Sequence, residues 1–301
     1  MLRSALLYLS ERKEIQKWIM ANPLSRKSAL RFVAGEHCGD AVEAARTLAA
    51  SNISATIDFL GENVSRESEA RATLEEYLGL LDRFDSSGVA AHVSIKLTAL
   101  GLDISQELCE DAVDRICARA AEIGSFVRID MEGSRYTQAT IDVFKGALSR
   151  HGNVGMAIQA YLHRTAEDVE TLLPLGGRFR LCKGAYKEPA SVAFQAKSEV
   201  DASYVRLMKR LMTSGSYHAL ATHDPAILDS ARSFARAQSL PRTGFEFQML
   251  YGIRRDIQAE LARDWAMRVY IPYGTNWYPY LMRRLAERPA NLWFVLSNLF
   301  R

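Results

Sequence analysis

A (β/α)8 barrel of the TIM type, carrying an N-terminal helical arm, is the fold that this sequence predicts, and three observations predict it. Eight short runs rich in Val, Ile, Phe and Ala recur at the spacing of one βα unit. Amphipathic helical patterns fill the intervals between them. Seven of the eight runs end in a polar or ionisable residue, as expected where strands open into the loops of a barrel mouth. The runner-up is an open doubly wound sheet. Its usual nucleotide signatures are missing: the chain contains no GxGxxG after a strand, no GxxxxGK[ST] and no HExxH.

In order, residues 1 to about 50 read as the helical arm, including the amphipathic stretch GDAVEAARTLAA, and residues 51–301 as the barrel domain. The first run is ISATIDFLG (53–61), followed by the helical pattern SEARATLEEYLGLLDRF. VAAHVSIKL (89–97) precedes the helix SQELCEDAVDRICARAAEIG, and SFVRIDM (125–131), NVGMAIQAY (153–161) and GRFRLCKG (177–184) follow. HALATH (218–223) leads into AILDSARSFARAQS, and GFEFQML (244–250) and MRVYIPYG (267–274) complete the set.

The totals narrow the function. A chain of 301 residues with 48% hydrophobic and 24% charged residues has ample material for a large core. Its 38 basic and 35 acidic residues balance to +3, which with no dense Lys/Arg run argues against nucleic acid as a partner. Cys38, Cys109, Cys117 and Cys182 show no CxxC spacing, so a reducing cytoplasm is the default location. The opening MLRSALLYLSERKE has a brief apolar run that charges interrupt before a signal core or a span is complete.

Side chains alternate along a strand, so residues of one parity share a face. Read this way, the strand ends present Lys96, Asp130, Gln159, Arg180, Thr222, Gln248 and Tyr270. Each has a plainer reading. Asp130 could pair internally with Arg128, Lys96 could extend out of the rim, and His223 could cap the helix starting at Asp224-Pro225. Tyr186, Tyr270 and Tyr280 could serve as packing. Lys183 has the opposite parity from Arg180, so presenting both inward requires a bulge or bend at Gly184. Near the C-terminus, YPYLMRRLAERPAN (278–291) places Arg283 and Arg284 about 100° apart on a helix, with Glu287 one turn on. Such a helix either pairs these charges on a solvated face or turns both arginines inward to hold a carboxylate.

With KGAY, ATH, FEFQ and RRLAE in order at strand and helix ends, the sequence resembles the proline dehydrogenases, flavin-dependent enzymes that oxidise L-proline to Δ1-pyrroline-5-carboxylate in the first step of proline catabolism. The likeness runs from RFVAGE (31–36) to the last helix and is to the monofunctional bacterial type. It implies hydride transfer from proline C5 to N5 of FAD, with electrons passed to a quinone. On this resemblance Arg283, Arg284 and Lys96 grip the proline carboxylate, Glu287 holds an arginine in place, and Asp130 organises the cations. Tyr186, Leu250, Tyr270 and Tyr280 match the wall around the pyrrolidine ring. Arg180 matches the arginine facing flavin N5. Gln159, Lys183, Gly184 and Ala185 match residues lining the flavin ring, Thr222 and His223 approach its ribityl-pyrophosphate, and Gln248 lies in the cofactor wall. A quinone acceptor implies transient contact with the inner face of a membrane, for which NLWFVLSNLF (291–300) is one candidate; packing of that tail on the barrel is the alternative.

The competing chemistry on the same scaffold is a Schiff-base lyase or aldolase that uses Lys96 or Lys183 as the amine. A binding protein without chemistry is disfavoured by the number of charges that converge at the strand ends.

Overall fold

The computed structural model describes residues 31–287, with side chains described to residue 282. Helix α1 (Cys38–Ala49) precedes β1 (Ser54–Phe59), and then strands and helices alternate. They are α2 (Glu67–Ser87), β2 (Ala91–Ile95), α3 (Gln106–Glu122), β3 (Val127–Ile129), α4 (Thr137–His151), β4 (Val154–Gln159) and α5 (Thr165–Leu172). The second half comprises β5 (Arg178–Cys182), α6 (Lys197–Met212), β6 (His218–Ala221), α7 (Pro225–Ala237), β7 (Phe245–Leu250), α8 (Arg255–Asp264), β8 (Ala266–Tyr273) and α9 (Trp277–Glu287). Every strand pairs in parallel with the next, and β8 returns to β1 in register from Ser54↔Arg268 to Phe59↔Tyr273. The sheet is therefore a closed barrel, and all eight predicted runs supply its strands.

The two faces of that sheet have opposite chemistry. Ile57, Val93, Ile129, Met156, Leu181, Leu220, Phe247 and Val269 belong to one buried core together with helix residues such as Leu74, Ile116, Phe144 and Leu207. Burying this apolar face against the helical ring is what stabilises the layered architecture. The other parity is polar. Arg180 on β5 reaches Ser94 on β2 and Gln248 on β7, contacts between non-adjacent strands that only residues crossing the lumen can make.

Local signals end the helices where they must. Ser105 accepts from Leu108 N at 3.3 Å to start α3, and Asp224 accepts from Ala226 N at 3.1 Å to start α7, with Pro225 in the first turn. His223, the sequence-predicted cap, instead accepts from Leu250 N at 3.2 Å, because Asp224 is nearer the free N–H groups and ionised. Among the described residues no helix is long and apolar enough to cross a membrane.

Candidate active site

Lys96 follows the last residue of β2 and does not extend out of the rim: its side chain is only 13% exposed. Its Nζ donates to Asp58 Oδ1 at 2.5 Å and to the Tyr270 hydroxyl at 3.3 Å, and lies 3.7 Å from Asp130 Oδ2. Burial alone would lower the lysine's pKa, but the Asp58 and Asp130 carboxylates outweigh it and hold Lys96 as an ammonium well above its ordinary range. Burial raises the Asp58 carboxyl to about 6, with Lys96 opposing the rise and Asp130 adding to it. Lys96 is thus a fixed cation, suited to an anion and unsuited to act as the neutral amine of a Schiff-base lyase.

Arg180, 4% exposed, carries the centre of the lumen. Its Nη1 donates to Asp130 Oδ1 at 2.5 Å, its Nε to Gln248 Oε1 at 2.6 Å and its Nη2 to Ser94 Oγ at 2.9 Å. The guanidinium also lies 5.2 Å from the ring centroid of Tyr270, whose hydroxyl donates to Asp130 Oδ2 at 2.7 Å. Asp130 therefore bridges Arg180, Tyr270 and Lys96. The predicted pairing of Asp130 with Arg128 does not form, because Arg128 lies one strand layer deeper and donates to the carbonyls of Met156 and Arg178.

On the rim, β5 ends at Cys182, and Gly184 turns the chain with φ +123°. A Cβ there would fall 2.2 Å from the Tyr161 ring, so only glycine fits, and the bend anticipated at this position is real. It does not bring Lys183 beside Arg180. Lys183 Nζ donates to Asp201 and, at 2.8 Å, to Asp224 Oδ2, and Lys197 pairs with the same two carboxylates. Thr222 is buried and its Oγ1 accepts from Asp224 N at 3.1 Å. Gln159 is buried at the end of β4; its Nε2 donates to Met131 O at 3.3 Å while its Oε1 has no hydrogen-bond partner among the described residues. Ala185 and Tyr186 lie beyond the Gly184 turn, with Tyr186 37% exposed. Leu250 is half-buried and Tyr280 buried. Arg283, Arg284 and Glu287 fall within α9, but their side chains lie outside the described residues, as does the whole of 291–300.

The chain matches the family described as proline dehydrogenase over residues 41–296. The chain belongs to the proline dehydrogenase family. It is 41% identical to proline dehydrogenase 1 of Bacillus subtilis over 302 residues, covering 100% of both chains, and 36% identical to the proline dehydrogenase of Deinococcus radiodurans, covering 99% and 98%. Among solved structures, it superposes on proline utilization A from Bdellovibrio bacteriovorus, inactivated by N-propargylglycine, with a TM-score of 0.81 and 26% identity. That match covers 87% of this chain and 33% of the longer one, so the barrel corresponds to about a third of the length of that protein. Membership makes the chain an oxidoreductase and accords with proline oxidation as its activity.

A proline dehydrogenase barrel holding Lys96, Asp130, Arg180, Gln248 and Tyr270 in one network includes partners that strand-end reading missed. Asp58 is the largest omission: it shares the parity of Thr56 in ISATIDFLG and fills the one strand end left without a polar residue. Ser94 shares the parity of Lys96, Glu246 that of Gln248, and Arg268 that of Tyr270. The same alternation, carried one step back along each strand, would have found all three.

Proposed function

We propose that this chain oxidises L-proline at C5 to Δ1-pyrroline-5-carboxylate, using FAD and passing electrons to a quinone. The observation that carries the reading is the buried network of Lys96, Asp130, Arg180 and Tyr270 at the strand ends of a proline dehydrogenase barrel. Bound FAD would supply the two-electron oxidant, accepting hydride at N5.

The residues present fit such a group. Gln159 Oε1 is a buried acceptor lacking a donor among the described residues, a costly state that an imide N–H of a flavin would relieve. Gln159, Arg180, Lys183, Gly184, Ala185, Thr222, His223 and Gln248 would hold the cofactor. On the substrate side, Lys96 offers a permanent cation to the proline carboxylate, joined on the family resemblance by Arg283 and Arg284 from α9, with Glu287 steadying an arginine. Asp130 keeps Lys96 and Arg180 from repelling one another in a site of low dielectric. Tyr270, with Tyr186, Leu250 and Tyr280, walls off the ring so that its C5 is oriented and water excluded. No nucleophile is required. Delivery of electrons to a quinone calls for contact with a membrane surface, for which 291–300 is the candidate segment.

The test is anaerobic titration of the purified protein with L-proline, followed by release of the flavin on denaturation. Bleaching of a flavin spectrum is the expected result, and a colourless protein trapped on a carbonyl substrate by borohydride would instead establish the lyase. Within that assay Arg284→Met and Arg283→Met each lower kcat/KM for proline by about thirtyfold or more with flavin content retained, since a lost charge partner costs about 2–5 kcal/mol. Glu287→Ala gives a milder version.

A further inference from the structure

Beneath Arg180 the lumen carries a second polar layer that the proposed chemistry does not use. Glu246, 3% exposed, accepts from Arg268 Nε at 2.9 and 3.0 Å, from the Tyr217 hydroxyl at 3.0 Å, and from Gln248 Nε2. Arg268 is itself fixed by donating from Nη1 to Ala55 O at 2.7 Å, on the neighbouring strand. Gln248 Oε1 then accepts from Arg180 Nε at 2.6 Å.

The chemistry of the end groups gives this line a direction. A guanidinium only donates, and an ionised carboxylate only accepts. An amide between the two satisfies both in one orientation alone, with NH2 toward Glu246 and the oxygen toward Arg180. Reversing it would set NH2 against N–H at one end and oxygen against oxygen at the other. Burial alone would raise the Glu246 pKa, but Arg268 and Gln248 outweigh it and bring it to about 2, so the acceptor end is constant at any working pH.

We infer that Glu246 is a positioning residue for Arg180, acting through Gln248: it fixes the amide so that the oxygen holds Arg180 Nε, and thereby sets where the guanidinium meets the flavin. This rests on the proposed placement of Arg180 against the cofactor. Removing the negative charge with Glu246→Gln lets the Gln248 amide take either orientation. In one of the two, Arg180 Nε loses its acceptor, and the guanidinium pivots about the two that remain, Asp130 and Ser94.

The experiment uses flavin-loaded protein carrying Glu246→Gln alone and combined with Gln248→Glu. The double variant restores the polarity of the line: the carboxylate at 248 accepts from Arg180, while the amide at 246 donates to it and accepts from Arg268. For Glu246→Gln the expected result is a kcat for L-proline lower by about tenfold or more, since a displacement of order 1 Å at a reacting centre can cost as much as a hundredfold. KM changes by less than about twofold, because the substrate anchors are untouched. The double variant has a higher kcat than Glu246→Gln alone, although the new carboxylate at 248 keeps it below that of the unmodified protein. Unchanged kcat in Glu246→Gln would overturn the inference, and so would a fall in kcat matched by a rise in KM or a defect that the double variant leaves as deep, since it would then run through Arg268 and barrel packing. If the single variant does not fold, the double variant alone decides, measurable proline turnover by flavin-loaded protein supporting the relay and inactive, flavin-loaded protein refuting it. Absence of flavin or proline turnover in the unmodified protein would instead remove the proposed function itself.

Discussion

Two clusters in this barrel have the same ingredients, a lysine between two aspartates, and behave differently. Inside the mouth, Lys96 lies between Asp58 and Asp130, with side-chain exposures of 13%, 1% and 14%. On the rim, Lys183 lies between Asp201 and Asp224, at 27%, 27% and 20%, and Lys197, 74% exposed, adds a second cation. In the inner cluster burial outweighs the lysine and raises Asp58 to about 6. On the rim burial is weaker than the paired lysines, and Asp224 falls to about 2. Composition does not decide the electrostatics of a site; depth and the count of opposing charges do. The inner cluster holds a buried, permanently charged lysine, which on the proposed function receives the substrate carboxylate, whereas the rim cluster is a balanced set of two lysines and two aspartates linking the end of β5 to α6 and α7.

The largest test of that contrast is Lys96→Met. If the inner lysine receives the substrate carboxylate, kcat/KM for L-proline falls by about thirtyfold or more, a loss of about 2 kcal/mol or greater. An effect under twofold would reduce the inner cluster to structure. Tyr270→Ser comes next, because Tyr270 is the element that the rim lacks: it caps Arg180 and donates to Asp130. Removing its ring opens space at the pocket wall, and discrimination against 4-hydroxyproline drops by about tenfold. Unchanged relative kcat/KM values would take Tyr270 out of the wall.

Asp58→Asn sharpens the comparison through pH. The native carboxyl titrates at about 6 against 3.8 when unfolded, so across this window the native state binds more protons and Asp58 contributes less stability as pH rises. Asp224 has the opposite sign: its contribution is present above its unfolded value of 3.8 and lost as pH falls toward about 2. The thermal midpoint of Asp58→Asn relative to the unmodified protein therefore climbs between pH 4 and 6.5, and a constant difference would contradict the assignment. Smallest is Lys183→Met, which alters stability by less than about 1 kcal/mol, an effect shrinking further in high salt. A loss as large as that of Lys96→Met in proline turnover at saturating flavin would erase the distinction between the clusters.

The barrel was legible in the sequence because parallel strands buried on both sides write themselves as short apolar runs at one βα spacing, and each predicted run overlaps a strand. The inward set Lys96, Arg180, Gln248 and Tyr270 followed from alternation. Lys183 did not, since where Gly184 sends the chain depends on its φ of +123° and on the Tyr161 ring beneath it, neither of which periodicity encodes. Asp58 was passed over because an acid inside an otherwise apolar run looks like an edge, and its reason for burial, Lys96, lies 38 residues away. Which aspartate pairs with which cation is set by the lumen's geometry, and sequence order carries little of it.

Closure of the barrel also fixes when the site can exist. Arg268 donates to Ala55 across 213 residues of chain, at the seam where β8 meets β1. Tyr270 reaches Asp130 across 140. Contacts of such span are entropically late, since every intervening unit must be laid down before the ends meet. Helices and neighbouring strand pairs form from local chain, but the lumen becomes a lumen only with the last pairing. During refolding, secondary structure should return well before proline turnover, and a circular permutant opened elsewhere, with β8 and β1 joined in sequence, would shift that delay to a different pair of strands.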